Sequence, residues 1–234
     1  MNALCRSSIA ELAGTFTLTF IGAGTIISTA AGSGGGLVAI ALAHGLALAM
    51  AVYATGHISG GHINPAVTIA MLATRRISLG HAVVYILSQL AGAVLGAFLL
   101  NQLFPAEAVE KAHLGATLAL DPTGASVLAS PKIIIVEAIL TFLLLTTIFA
   151  VAVDKKGPKN IYGFAIGLTI CFNILCAGAL TGASMNPARS FGPALVGGHW
   201  TDHFAYWLGP ILGALVAAFV YDTCLASKEK EGEK

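Results

Sequence analysis

Charge is scarce in this sequence. Only 10% of its 234 residues are Asp, Glu, Lys or Arg, where soluble domains carry roughly 25%. Hydrophobic residues make up 56% and the mean hydropathy is +0.84. That balance excludes a water-soluble globule and points to a lipid bilayer. The net charge is +1, so there is no case for nucleic acid as a partner. Cysteine is scarce. Cys5, Cys171, Cys176 and Cys224 form no C-x-x-C or Cys/His pattern, so no metal site is expected. Two of them lie inside an apolar run, where cysteine reads as a small hydrophobe. Nucleophile–base pairs and phosphate loops are missing too, so neither an enzyme nor a cofactor is expected. The first apolar segment lacks the short core and cleavage pattern of a signal peptide and is expected to stay as a span.

What the chain does have is long apolar runs. Six are long enough to cross a membrane, at about 8–30, 37–56, 81–103, 132–153, 161–180 and 204–225; a span needs roughly 20 residues. Two more, at about 64–74 and 186–196, reach only roughly half-way across the hydrocarbon core. Half-length helices in corresponding places point to a substrate path at the bilayer midplane. The connections fit this reading. The longest is 104–131, with Pro105, Glu107, Glu110, Lys111, Asp121 and Pro122. The tail at 228–234 mixes charges and is expected to be disordered.

Lys and Arg set the orientation. Arg6, Arg75, Arg76, Lys155, Lys156, Lys159, Lys228, Lys230 and Lys234 fall on one side of the six-span arrangement, and only Lys111 and Lys132 on the other. Both termini are therefore expected in the cytoplasm. The remaining base, Arg189, lies inside the second short helix.

The chain repeats itself. Glu11-x-x-x-Thr15-Phe16 recurs as Glu137-x-x-x-Thr141-Phe142, Gly45-Leu46 as Gly167-Leu168, and Gly60 as Gly182. Tyr85, Gly92-Ala93 and Ala97-Phe98 recur as Tyr206, Gly213-Ala214 and Ala218-Phe219. Asn64-Pro65-Ala66 returns 122 residues later as Asn186-Pro187-Ala188. Each half holds three spans, an odd number, so the second half enters the membrane from the opposite side. The expected fold is an all-α membrane protein, six transmembrane helices plus two half-helices in an inverted 3+3 repeat. One channel domain, 1–234, contains repeat one at about 8–103 and repeat two at about 132–225.

The two Asn-Pro-Ala copies carry the chemistry. Asn is a good helix N-cap and Pro is favoured at the first helical position, so each copy starts a half-helix. Two helix N-termini, each carrying roughly half a positive charge, then face each other at the midplane. Each Asn oxygen caps its own helix, and each amide NH2 is expected to be left as a donor to a passing molecule. The lead-ins at 59–63 and 181–185 are non-helical backbone at membrane depth, tolerated only against protein or a water-filled cavity. Backbone of Gly60, Gly61, His62, Ile63, Gly182, Ser184 and Met185 is expected to line that cavity with carbonyl acceptors. Such a pore passes small neutral molecules, repels cations, and orients water so that proton hopping breaks.

Six further residues bear on this. An isolated cation at membrane depth is a functional candidate, so Arg189 is expected to project into the pore, partnered by lead-in carbonyls. Glu11 and Glu137 are equivalent carboxylates, expected to brace the lead-in loops; the alternative is a proton-coupled secondary transporter using them as proton sites. His44 inside the second span is either a packed core residue or a pore group. His57 and His62 are expected to brace the first lead-in.

Residues 59–68, Ser-Gly-Gly-His-Ile-Asn-Pro-Ala-Val-Thr, and 182–194, Gly-Ala-Ser-Met-Asn-Pro-Ala-Arg-Ser-Phe-Gly-Pro-Ala, resemble the two signature loops of the aquaporin (major intrinsic protein) family. The resemblance runs over about 8–225. It implies a pore in each subunit, a homotetramer, and passive transport of water and small neutral solutes across the bilayer. Ser190 after the second Asn-Pro-Ala-Arg, and Tyr206-Trp207 in the last span, match the family's water-channel pattern rather than its glycerol facilitators. By the same resemblance the narrow selectivity filter falls on His44, Ile174, Ala183 and Arg189. That set looks like the plant tonoplast intrinsic proteins, several of which are associated with ammonia, urea or peroxide as well as water. Ile174 and Ala183 are expected to widen the filter and make one wall apolar, with His44 restoring a polar group opposite. Such a filter implies water conduction with passage of ammonia-sized solutes; the alternative is a channel preferring ammonia, urea or peroxide. The expected location is the cell membrane, or the vacuolar membrane in a plant. The outer connection could bring His113 near the mouth.

Overall fold

The computed structural model describes residues 2–119 and 128–226. Asp121 and Pro122 of the outer connection, and Lys228, Lys230 and Lys234 with the rest of the tail, lie outside the described residues.

Among the described residues six helices are long and apolar enough to cross a membrane. The first is α1, Ala3–Ser28, and it runs on as a π turn through Ser33. It begins five residues before the apolar run because Asn2 caps it, accepting from Cys5 N at 2.8 Å. Next come α2, Gly36–Ser59, the half-helix α3, Pro65–Ala73, and α4, Leu79–Leu103. The outer connection is not a plain loop. It holds a short helix α5, Ala106–Lys111, and a 3-10 turn, His113–Gly115. The second half has α6, Ser130–Ile148, α7, Tyr162–Thr181, the half-helix α8, Pro187–Gly197, and α9, Ala205–Val220. Ser59 and Thr181, expected in the lead-ins, are the last helical residues of α2 and α7. Gly60 and Gly182 end those helices in the left-handed region, at φ +91° and +79°, which glycine adopts without a Cβ penalty.

The spans are apolar all round because one face meets lipid and the other meets protein. Leu42, Leu46 and Met50 are exposed on α2, and Ile135, Ile139 and Leu143 on α6. Lipid gives no hydrophobic drive for helix association, so the helices close through small residues. A methyl group on Gly92 of α4 would lie 2.2 Å from Leu12 O of α1. In the second half, one on Gly213 of α9 would lie 2.0 Å from Ala138 O of α6. The same crossing is thus built twice, by the pair Gly92 and Gly213 that the repeat relates. Gly45 of α2 and Gly167 of α7 are also repeat partners, and they touch each other. A methyl group on either would lie 2.5 or 2.3 Å from the other's carbonyl oxygen. Equivalent residues in reciprocal contact must sit on the pseudo-two-fold axis. This is the inverted 3+3 repeat, and the axis passes between α2 and α7.

Candidate pore and selectivity filter

The two half-helices are built the same way. Asn64 Oδ1 accepts from Ala66 N at 2.8 Å; Asn186 Oδ1 accepts from Ala188 N and Arg189 N at 3.1 and 3.3 Å. Pro65 and Pro187 take the first helical positions. These prolines, with Ala66 and Ala188, are buried behind the Asn side chains.

The Asn amides differ from the expectation of two free protons each. Asn64 Nδ2 donates to Met185 O, and Asn186 Nδ2 donates to Ile63 O, both at 2.8 Å. Each half-helix therefore grips the opposite lead-in, and each amide keeps one N–H. A buried backbone carbonyl needs a partner, and the facing amide is the nearest donor. The second N–H of each Asn stays at the wall of the cavity that both residues line.

The lead-ins are held from behind by carboxylates. Glu11 Oε1 accepts from Ser59 Oγ and His62 N at 2.6 and 2.9 Å, and its Oε2 from Ile63 N and Gln89 Nε2 at 2.6 and 2.7 Å. Glu137 Oε1 accepts from Thr181 Oγ1 and Ser184 N at 2.7 and 3.0 Å, and its Oε2 from Met185 N at 2.7 Å. Every neighbour is a donor, which matches an acceptor-only carboxylate. The bracing has a local cost to meet. Ile63 and Met185 both carry φ +54°, a region that costs a non-glycine residue on the order of 1–3 kcal/mol. The carboxylate bonds to their own N–H groups hold them there. Tyr85 and Tyr206 complete the frame, donating to Ser59 O and Thr181 O at 2.9 and 2.8 Å. Their pairing in the repeat was visible in the sequence; their role as braces was not.

A cavity of about 410 Å³ runs past both Asn residues. His44, Ile174, Ala183 and Arg189 line it together, as do Gly60, Gly61, His62, Ser184 and Met185. Ile63 and Gly182 do not reach it. The Ile63 side chain is fully buried against Gly14, and its carbonyl is taken by Asn186. Gly182 packs instead on Thr117. Met185 lines the cavity, yet its carbonyl is spent on Asn64. The carbonyls of Gly60, Gly61, His62, Ala183 and Ser184 take no hydrogen bond from the described residues, so the acceptor ladder is shorter than seven.

Arg189 projects toward the cavity with partners that differ from those expected. Its Nη1 donates to Gly115 O at 2.8 Å, from the outer connection rather than a lead-in. Its Nε and Nη2 donate to His44 Nε2 at 3.3 and 3.0 Å. His44 Nδ1 in turn donates to Ile40 O at 2.8 Å. An acceptor Nε2 and a donor Nδ1 make this the neutral Nδ1–H tautomer. Both His44 nitrogens are thus occupied, so the polar group expected opposite Ile174 is turned onto Arg189. Of the five guanidinium N–H groups, two remain unassigned among the described residues, one on Nη1 and one on Nη2.

The outer connection is part of the site. Its 3-10 turn has three successive left-handed residues, His113, Leu114 and Gly115, at φ +47°, +53° and +70°. Leu114 is buried, and Thr117 Oγ1 donates to Ser190 Oγ at 2.7 Å behind α8. His113 packs edge-on against His199 with ring centroids 5.1 Å apart. Gly115 and Thr117 carried no signal in the sequence beyond lying in the longest loop. Cys171 is buried and Cys176 exposed. No cluster of three or more His, Cys, Asp or Glu with metal-holding geometry occurs among the described residues.

A model of the family described as Major intrinsic protein matches residues 1–221. The chain belongs to the major intrinsic protein family. It is 44% identical over 225 residues to aquaporin TIP4-4 of Zea mays, covering 93% of this chain and 85% of that one. It is 41% identical over 225 residues to aquaporin-4 of Mus musculus, covering 94% and 68%. Among solved structures it superposes on the aquaglyceroporin from Plasmodium falciparum with a TM-score of 0.82 at 27% identity, covering 94% of this chain and 96% of that one. The protein is an aquaporin-type channel in a membrane, and water and small solutes are what such channels pass.

Proposed function

We propose that this aquaporin conducts water in single file, excludes protons and ions, and also passes small neutral solutes such as ammonia. The observation that carries the reading is the reciprocal grip of the two Asn residues. It holds one N–H from each half of the chain at the same depth of one cavity. A water there accepts from both and turns its own hydrogens outward, so the proton wire is broken at that point. Two helix N-termini and Arg189 add a positive field against cations.

Ammonia passage is supported by the filter's shape. Ile174 and Ala183 present hydrocarbon, and His44 offers no spare nitrogen. The residual donors are the two N–H groups of Arg189, which suit an oxygen or nitrogen lone pair. Selectivity is therefore set more by width than by matched hydrogen bonds. Relatives named aquaporin TIP favour this reading over a glycerol facilitator, as do Ser190 and the Tyr206-Trp207 pair. Glu11 and Glu137 act as braces rather than proton sites, since each is ringed by donors. We propose further that the whole chain acts as one channel domain without catalytic activity, that it assembles as a homotetramer, and that both termini are cytoplasmic. The membrane is the cell membrane, or the vacuolar membrane in a plant.

Stopped-flow light scattering on proteoliposomes tests this with water, ammonia, urea and glycerol in parallel. Water flux proportional to the osmotic step, with ammonia flux above empty liposomes, is expected. Saturable uptake driven by a proton gradient would replace the channel reading with the coupled transporter. Ile174→His with Ala183→Cys is expected to lower the ammonia-to-water ratio, and an unchanged ratio would sink the filter explanation.

A further inference from the structure

Gly22 of α1 stands directly against the ring of His44. A methyl group on Gly22 would lie 2.3 Å from His44 Nε2, 2.4 Å from Cδ2 and 2.8 Å from Cε1. Those are the three heavy atoms nearest that point, so the imidazole fills the space a side chain would take. We infer that Gly22 is a specificity-determining residue. By carrying no side chain it seats His44 against α1, and the seated ring holds Arg189 at the wall of the pore. This rests on the reading of His44 and Arg189 as filter residues.

The ring is fixed from both ends. Nδ1 is bonded to Ile40 O, and Nε2 receives two N–H groups of Arg189. Rotation in place breaks both contacts. A Cβ at residue 22 would sit roughly 1 Å inside ordinary contact distance, and α1 backbone blocks the ring from behind. The open direction is the cavity, which His44 already lines. A displaced imidazole narrows the pore and leaves Arg189 with Gly115 O alone.

The repeat sharpens the point. The offset from Glu11 to Glu137 carries Gly22 onto Ile148, and the offset from Gly45 to Gly167 carries His44 onto Ile166. Ile148 and Ile166 both line the inner half of the cavity. There, two side chains share the wall; in the outer half a glycine has ceded the space to an imidazole. At Gly92 and Gly213 the nearest atoms to the missing side chain are backbone of the crossing helix, whereas at Gly22 all three nearest belong to the His44 ring.

Gly22→Ala, His44→Ala and the double variant, reconstituted beside the unaltered protein, test this by stopped-flow permeability to water and ammonia per copy. Gly22→Ala is expected to lower water permeability roughly tenfold, about one 1.4 kcal/mol step in barrier, and to change the ammonia-to-water ratio. His44→Ala is expected to raise that ratio. In the His44→Ala background, Gly22→Ala is expected to do nothing further. An unchanged Gly22→Ala protein, or the same loss in both backgrounds, overturns the inference. If Gly22→Ala fails to insert, recovery of insertion and flux in the double variant supports the contact, and a double variant that also fails overturns it. An unchanged ratio in His44→Ala alone would instead overturn the filter reading on which the inference stands.

Discussion

Replacing Glu137 by Gln removes one acceptor from the brace behind the second lead-in and changes nothing else in shape. Glutamine keeps one oxygen and puts an NH2 where the other stood. Thr181 can turn its hydroxyl to suit either arrangement. The two backbone donors cannot turn. Either Met185 N, now 2.7 Å from Oε2, or Ser184 N, now 3.0 Å from Oε1, comes to face a second donor. A hydrogen bond to a charged group contributes about 1.5–3 kcal/mol, and a buried orphan donor costs about 1–3 kcal/mol. The two overlap, so the loss is roughly 2–5 kcal/mol. Against a total of about 5–15 kcal/mol, the variant still folds but melts well below the unaltered protein. The effect reaches the pore, because Met185 O accepts from Asn64 Nδ2. A looser Met185 lets that amide drift from the midpoint. The assays are the detergent-phase Tm and the osmotic water permeability per reconstituted copy. Both are expected to fall, with an unchanged pH profile and no response to an imposed proton gradient. An unaltered Tm refutes the brace. A proton-driven flux that Glu137→Gln abolishes refutes the passive channel.

Three further expectations come from other parts of the fold. His203 is half-buried, and burial pushes its pKa below the ordinary 6.5. Neutral His203 accepts from Trp207 Nε1 at 3.2 Å and packs on Trp200 at 4.9 Å. With the folded pKa depressed, the unfolded state binds more protons just below pH 6.5, so stability falls as pH falls through that value. Trp200 and Trp207 are the chain's two tryptophans, so an acid transition in intrinsic fluorescence is expected, and His203→Gln should abolish it. Gly213→Ala drives a methyl group to 2.0 Å from Ala138 O; loss of the monodisperse peak in size exclusion is expected, while Gly80→Ala, which meets nothing within 4 Å, leaves it intact. Asp222→Asn breaks the bidentate pair with Arg76 at 2.8 and 2.9 Å. That pair is about one-third exposed, so the expected cost is under about 1 kcal/mol, with water permeability unchanged; a larger drop in Tm would count against it.

The six spans and both half-helices were legible because length and hydropathy dominate structure in lipid, where every backbone group must be satisfied within the chain. The Asn-Pro-Ala starts were legible for a local reason: cap and first-turn proline are neighbours in sequence. What crosses between halves was not. The bond from Asn64 to Met185 O joins residues 121 positions apart, and no local pattern says that a cap's amide will be spent on it. The partner of Arg189 was misread for the same reason. Its carbonyl comes from Gly115, in a connection whose composition reads as ordinary loop. His44 was placed in the right span, but as a polar group opposite Ile174 rather than one turned onto Arg189. The occupancy of its two nitrogens depends on Ile40 one turn earlier and on Arg189 in the other half.

The repeat makes the backbone of the pore nearly symmetric, and the side chains undo that symmetry on one side of the midpoint. Counted by the same offsets, Arg189 corresponds to Val67, Ile174 to Val52, Ala183 to Gly61 and His44 to Ile166. All four inner counterparts line the cavity, and none carries a polar side chain. At these four pairs of equivalent positions polar side chains stand only on the Arg189 side; on the other side of the midpoint His57 and His62 are the histidines at the wall. On the proposed reading, discrimination among solutes lies with His44, Ile174, Ala183 and Arg189 and with what holds them, Gly115 and Gly22 included. A passive pore adds no free energy to what passes, so this asymmetry governs which molecules cross and has no power to set the direction in which they go.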